Sequence, residues 1–277
     1  MTYTELCSRL RLGGIENAEW DAALLIEHFC GVAASKLPLT PQKDYPSSPA
    51  LEDAIRRRLE RYPLQYLLGE WEFYRQTYEV SPHCLIPRAD TERLVEEAIR
   101  LLPENAVFAD HSTGSGCIAV SVLAERPDTR AIAVDKFEET LAIACRNAAK
   151  NGVADRFTPL LADVLEQDFR VSQPPLDAIL SNPPYIPTVT VKTLEPELFA
   201  EPLAALDGGE DGLLFYRALL RGQTPCLKPD GFFLFEIGFD QADALCRLGD
   251  ATGWTEHRVI RDYGGNDRVL HLRRPLS

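Results

Sequence analysis

No apolar run in this chain approaches the roughly 18 residues that cross a bilayer, so no membrane span and no membrane partner are expected. The start, Met1-Thr2-Tyr3-Thr4-Glu5, lacks a basic flank followed by an apolar stretch, and no secretory leader is expected. Cysteine pairing signals are missing too. The seven cysteines stand at 7, 30, 84, 117, 145, 226 and 246, an odd number without one Cys-x-x-Cys pair. A disulfide framework and a metal site are therefore not expected, and free thiols in a reducing cytoplasm are. Positive charge is short: 29 Lys and Arg face 42 Asp and Glu, for a net −13. Nucleic-acid affinity rests mainly on neutralising phosphates, so no specific nucleic-acid partner is expected. The one basic cluster, Arg56-Arg57-Arg58 with Arg61, reads as the solvated face of a helix, against a patch for RNA or an acidic partner. Internal repeats and low-complexity segments are absent.

What is present divides the 277 residues unequally. Ala22, Leu25, Ile26 and Phe29 recur at helical spacing, as do Leu51, Ile55, Leu59 and Tyr62 after the Ser47-Ser48-Pro49 start signal. Residues 1–68 are expected to form a helical domain, with a Pro-rich loop from Leu37 to Pro49. In 69–84, β-branched and aromatic residues around a polar turn predict a hairpin linker. A helix then starts near Asp90 or Thr91, either of which is a candidate cap, with Leu94, Val95, Ala98, Leu101 and Leu102 on one face. From 106 onward short apolar strands alternate with helices. Strands are expected at 107–110, 131–135, 157–162, 176–181 and 232–237, and helices at 116–125, 138–151, 213–227 and 241–251. Two strands, near 257–261 and 268–272, end the pattern. This predicts an α/β domain over 85–277, a mainly parallel sheet covered on both faces with one antiparallel edge pair.

Two motifs in that domain carry chemistry. The first is Asp110-His111-Ser112-Thr113-Gly114-Ser115-Gly116, between a strand and a helix. Glycines there let a ligand approach the backbone. The next strand ends at Asp135, the place where an acidic side chain binds ribose hydroxyls. Together they point to a nucleoside cofactor. The spacing departs from the dinucleotide pattern and fits the Asp/Glu-x-Gly-x-Gly-x-Gly loop of S-adenosylmethionine enzymes, with Ser112 in the first glycine slot.

The second motif is Ser181-Asn182-Pro183-Pro184-Tyr185-Ile186-Pro187, after the apolar strand 176–180. Two prolines remove two backbone donors and stiffen the chain. The carbonyls of Asn182 and Pro183 then stand as acceptors beside the Asn182 side chain. Such rigid acceptors at the carboxyl edge of a parallel sheet suit an –NH2 group, with Tyr185 packing on its plane. A proline-rich turn with no ligand is the plainer alternative.

Asn182-Pro183-Pro184-Tyr185 with the upstream loop resembles the amino-group S-adenosylmethionine methyltransferases. The segments 63–74 (PLQYLLGEWEFY), 85–96 (LIPRADTERLVE), 181–187 (SNPPYIP) and 261–270 (RDYGGNDRVL) narrow this to a resemblance to the bacterial peptide chain release factor glutamine methyltransferases, the PrmC/HemK family. The resemblance covers nearly the whole chain. It implies a class I, Rossmann-like seven-stranded methyltransferase domain behind a small helical substrate-recognition domain. It implies S-adenosylmethionine as cofactor and methylation of the glutamine amide in the Gly-Gly-Gln motif of release factors; the unpaired cysteines lead us to expect a cytoplasmic protein, and a monomer is expected.

By motif position, Asp110 and Ser112, Thr113, Gly114, Ser115 and Gly116 serve the methionine part of the cofactor. Asp135 takes the ribose, Asp163 with Val164 lies near the adenine, and Asn182 borders the cofactor as well. Asn182, Pro183 and Tyr185 are the expected catalytic residues, and Pro184 and Arg88 join them around the substrate, with Pro87 helping to close the pocket. The family loop usually reads Asp-Leu-Gly-Thr-Gly-Ser-Gly, so Ser112 and His111 depart from it. Ser112 either occupies a left-handed backbone, at a cost of about 1–2 kcal/mol, or crowds or hydrogen-bonds the cofactor. His111 reads as a buried histidine with its partners satisfied. Glu195, Glu197 and Glu201 read as a solvated carboxylate face. Two other functions fit part of the pattern: amino-methylation of adenine in DNA or RNA, and a binding module that has lost its cofactor.

Overall fold

The computed structural model describes residues 1–171 and 175–274, and the chain separates into two compact units. The first comprises Met1–Glu70 and Glu195–Ala200. It holds helices α1 (Tyr3–Leu12), α2 (Ala18–Cys30), α3 (Pro49–Leu59) and α4 (Leu64–Leu68). Local chemistry sets their ends. Thr2 and Glu5 form a capping box on α1, the Ser48 hydroxyl accepts from Leu51 N ahead of α3, and α2 stops at Gly31 with φ +69°. The two apolar stripes expected from spacing meet: Ala22, Leu25 and Ile26 share one core with Leu51 and Ile55, and Leu6 and Leu10 of α1 join it.

The arginine cluster is only in part a solvated face. Arg58 is nearly buried and donates to Asp21 at 2.6 Å and Glu197 at 3.2 Å, and Arg61 pairs with the same Glu197 at 2.8 Å. Arg57 lies 3.9 Å over the Tyr62 ring, and Arg56 pairs in the open with Asp53 and Glu60. Helical spacing shows which residues share a face but not which acids the fold brings against it.

The second unit is Trp71–Leu194 and Glu201–Ser277; the hairpin β1 (Glu70–Phe73) and β2 (Gln76–Glu79) stands at its start, with only Glu70 belonging to the first unit. Its turn residues Tyr74 and Arg75 both have positive φ. Then follow α5 (Glu92–Leu101), β3 (Val107–His111), α6 (Cys117–Glu125), β4 (Arg130–Asp135), α7 (Glu138–Lys150), β5 (Phe157–Leu161) and β6 (Leu176–Ser181). After the short α8 (Thr188–Val191) come α9 (Leu214–Gln223), β7 (Leu227–Glu236), α10 (Ala242–Ala251), β8 (Glu256–Arg261) and β9 (Asp267–Arg273). Alternate strand residues feed opposite faces. Phe108, Ala133, Leu180 and Leu234 join the core with α5, α6 and α7, while Ala109, Val134, Ile179 and Phe233 join that with α9 and α10.

The seven strands run in the order β5-β4-β3-β6-β7-β9-β8, parallel up to β7 and antiparallel across β7–β9 and β9–β8. This is the seven-stranded sheet that the resemblance implied. Most limits fall within a residue of those expected, and the α9–β7 boundary differs most. Helix α9 stops at Gln223 because Pro225 follows, and β7 begins at Leu227, with a register shift against β6 before Phe232. The order of strands reverses direction between β3 and β6. A crevice opens beyond the carboxyl ends of strands at such a switch point, and both motifs lie there.

Candidate active site

Parallel pairing of His111 with Ser181 brings Ser112 and Asn182, the next residues, off one edge of the sheet. The Ser181 hydroxyl donates to His111 O at 2.6 Å and locks the two strand ends together. Beyond them lies a cleft. Ser112–Ser115, Asp135, Asp163, Val164, Asn182, Pro184 and Arg88 line it. Asp110, Gly116, Pro183 and Tyr185 do not.

The loop is a turn of left-handed residues: Ser112 has φ +58°, Gly114 +57° and Gly116 +79°. Ser112 therefore occupies the conformation that disfavours a side chain. Gly116 packs on α7, where an added Cβ would stand 3.1 Å from the Ala144 Cβ. Asp110 works from behind the loop. It is wholly buried, and its Oδ2 accepts from Thr113 Oγ1 at 2.6 Å and Ala119 N at 3.3 Å. Burial raises its pKa to about 7, against the lowering effect of those donors. His111 is also wholly buried, against Phe169, but neither ring nitrogen has a hydrogen-bond partner among the described residues. Burial pushes its pKa down to about 3. The expected satisfied histidine is thus a neutral, unsatisfied one: its sheet neighbours are Val134 and Ser181, and the Ser181 hydroxyl is given to the His111 carbonyl rather than to the ring. Asn147 completes the support, donating to Ser115 O at 2.9 Å and to Glu79 O in β2 at 3.0 Å.

Asp135 meets the cleft as its position implies. Its oxygens accept from Gly114 N at 3.1 Å and Phe137 N at 3.2 Å, leaving lone pairs for hydroxyl donors. Burial raises its pKa despite those donors. Asp163 stands further along, its Oδ1 accepting from Leu165 N at 2.9 Å. A loop of left-handed turns, then a carboxylate for a diol, then a second carboxylate for an amine suits the methionine, ribose and adenine of S-adenosylmethionine in turn.

At the other motif, the Asn182 carboxamide donates to Thr91 Oγ1 at 3.2 Å, and Thr91 donates to Glu236 Oε2 at 2.5 Å. The Tyr185 hydroxyl donates to Glu236 Oε1 at 3.4 Å. Glu236 is buried at the end of β7 and its pKa is raised to about 7, chiefly by that burial. Thr91 makes no cap hydrogen bond on α5, because its hydroxyl is committed to Glu236. Arg268 stands by, bound to Asp262 at 3.2 Å and Asp90 at 3.3 Å, which explains the 261–270 segment. Two glycines brace the motif from below. A Cβ on Gly208 would lie 2.7 Å from Tyr185 Cα, and one on Gly212 would lie 2.3 Å from Tyr185 O.

Glu201 is the largest departure from the solvated reading. It is buried and accepts from Ile86 N at 3.0 Å and from Arg88, so it anchors the segment that lines one wall. Sequence reasoning also missed Glu236. The signal was present, an acid ending an apolar strand, and it was applied only at Asp135.

This sheet order with this loop and acid at its switch point defines a class I methyltransferase that uses S-adenosylmethionine. Residues 91–217 match the methyltransferase small domain, and residues 2–69 match the PrmC N-terminal domain. A release factor glutamine methyltransferase of Moorella thermoacetica is 40% identical over 96% of this chain and 95% of its own. One from Caulobacter vibrioides is 37% identical over 99% and 96%. A solved release factor-specific protein-(glutamine-N5) methyltransferase from Alicyclobacillus acidocaldarius is 33% identical, covering 71% of this chain and 99% of its own, with a TM-score of 0.42. The chain belongs to the release factor glutamine methyltransferase family.

Proposed function

We propose that this protein methylates the side-chain amide nitrogen of the glutamine in the Gly-Gly-Gln motif of peptide chain release factors, acting in the cytoplasm as a monomer. The observation that carries the site assignment is the placement of Asn182 and the cofactor loop on adjacent strand ends, at one cleft. Bound S-adenosylmethionine supplies an electrophilic sulfonium methyl group. The loop from Ser112 to Gly116 holds its methionine part, Asp135 its ribose, and Asp163 with Val164 its adenine. The Asn182 side-chain oxygen and the Pro183 carbonyl accept the two N–H bonds of the substrate amide. An amide nitrogen is a weak nucleophile, so alignment for in-line attack does much of the work. Acceptors on its N–H bonds also stabilise the positive charge that develops there. Tyr185 braces the motif, and Pro87 and Arg88 close the wall that Glu201 anchors. The helical unit, which exposes Leu12, Trp20 and Leu39, contributes to release-factor recognition.

The test is transfer of label from S-adenosylmethionine to an intact release factor, to its Gly-Gly-Ala variant, and to duplex DNA. Label on the intact factor alone is expected. Label on DNA, or equal label on the Gly-Gly-Ala variant, overturns the assignment. Asn182→Ala is expected to abolish transfer while S-adenosylmethionine binding stays within a few-fold by calorimetry. A large loss of cofactor binding would reassign Asn182.

A further inference from the structure

We propose that Thr91 and Glu236 are positioning residues whose hydrogen-bond relay fixes which end of the Asn182 carboxamide faces the substrate, and thereby selects an –NH2 group. The inference rests on the reading that Asn182 receives the substrate amide. The two ends of a carboxamide are nearly the same shape, but one donates and the other accepts. Packing cannot tell them apart, so hydrogen bonds must. An –NH2 substrate needs the oxygen end.

The relay supplies that direction. Above its raised pKa of about 7 Glu236 is ionised and only accepts, so the single Thr91 hydroxyl proton is committed to it, at 2.5 Å. Thr91 Oγ1 then has only lone pairs left for Asn182. Asn182 answers with its NH2 end, at 3.2 Å, and its oxygen end is left for the substrate. Thr91 and Glu236 are each 2% exposed, which leaves little room for water to replace either partner. The carboxylate is itself held. Tyr185 donates to its other oxygen, and the Arg268 guanidinium, tied to Asp262 and Asp90, favours its charged form. The fold brings the three together from the turn before α5 and from neighbouring strands, where Ser181 pairs with Phe235 just before Asn182 and Glu236.

A plainer role, pinning the start of α5 to the sheet, would use the same bonds. It would lower stability without acting selectively on turnover. The experiment compares Thr91→Val, Thr91→Ser and Glu236→Gln in the full chain. It measures kcat and KM on the release factor, cofactor Kd by calorimetry, and Tm. Valine keeps the shape of threonine without the hydroxyl. Serine keeps the hydroxyl. Glutamine at 236 can donate to Thr91 and turn the relay round.

Thr91→Val and Glu236→Gln are expected to lose kcat by on the order of ten- to a hundredfold with cofactor Kd within about twofold, and Thr91→Ser to recover most of it. If Thr91→Val fails to fold, Glu236→Gln against wild type carries the test. Wild-type kcat in Thr91→Val or Glu236→Gln overturns the relay, and so does Thr91→Ser being as slow as Thr91→Val. A wild type that methylates no release factor overturns the functional reading. A wild type that is active, with Asn182→Ala dead and Thr91→Val intact, overturns the relay alone.

Discussion

Ser112 carries a β-carbon through a left-handed turn that its neighbours Gly114 and Gly116 pass without one. The strain is about 1–2 kcal/mol, less the extra entropy that glycine gives the unfolded chain. Ser112→Gly is therefore expected to raise unfolding free energy by about 1 kcal/mol. Cofactor affinity should stay equal or tighten, and a clear weakening in calorimetry would make the serine hydroxyl a ligand. Asp110 and His111, directly before it, give opposite pH dependences. The pKa of Asp110 is raised to about 7 in the fold, so its neutral form is favoured there. Its contribution to stability is full below the unfolded value of about 4 and is lost as pH rises towards 7. The pKa of His111 is lowered to about 3, so its contribution is full above its unfolded value of about 6.5 and is lost as pH falls. Comparing wild type with Asp110→Asn at each pH cancels the histidine. The variant should gain on wild type by a few kcal/mol between pH of about 4 and 7 and level off above. A flat difference in denaturant titrations would show that Asp110 is ionised throughout.

Single elements were mostly legible in the sequence, and the contacts between distant ones were not. The strand at 176–181 was expected at the limits observed for β6, because a continuous apolar run between turn signals depends only on its neighbours in sequence. The ends of α9 and β7 were misread because the Pro225 stop is local to them and was passed over. The relay was beyond reach for another reason. Thr91 lies 91 residues from Asn182 and 145 from Glu236, and only the strand order joins them. Glycine use at 208 and 212 was hidden likewise, since the reason lies in the backbone of a motif elsewhere in the chain. Gly208→Ala forces a Cβ into the Pro184–Tyr185 backbone, where 2.7–2.8 Å remains. It is expected to lower stability by about 1–3 kcal/mol and to slow transfer by moving the motif proposed to hold the amide. Wild-type kcat with wild-type denaturant midpoint would mean that the loop shifts freely.

Across the whole molecule, charge separates the two substrates that an –NH2 site can serve. A glutamine amide and an adenine amine offer the same pair of N–H donors, so the cleft alone does not choose. The carriers differ: one is a protein, the other a polyanion. At net −13, this chain repels a polyanion at long range. Its basic cluster does not offset this, since Arg58 and Arg61 are bound to Asp21 and Glu197, and Arg56 to Asp53 and Glu60. Non-specific DNA binders reach a Kd of about 10⁻⁴–10⁻⁶ M at physiological salt by releasing counterions, and their affinity climbs steeply as salt is lowered. Labelled duplex DNA titrated with this protein is expected to show no anisotropy change at micromolar concentrations near 0.15 M salt, and no steep gain at about 0.05 M. Methylation of the release factor should in turn vary little over that range. A log–log slope of several units with salt would mean that the cleft is fed by a phosphate track, and would move the substrate to nucleic acid.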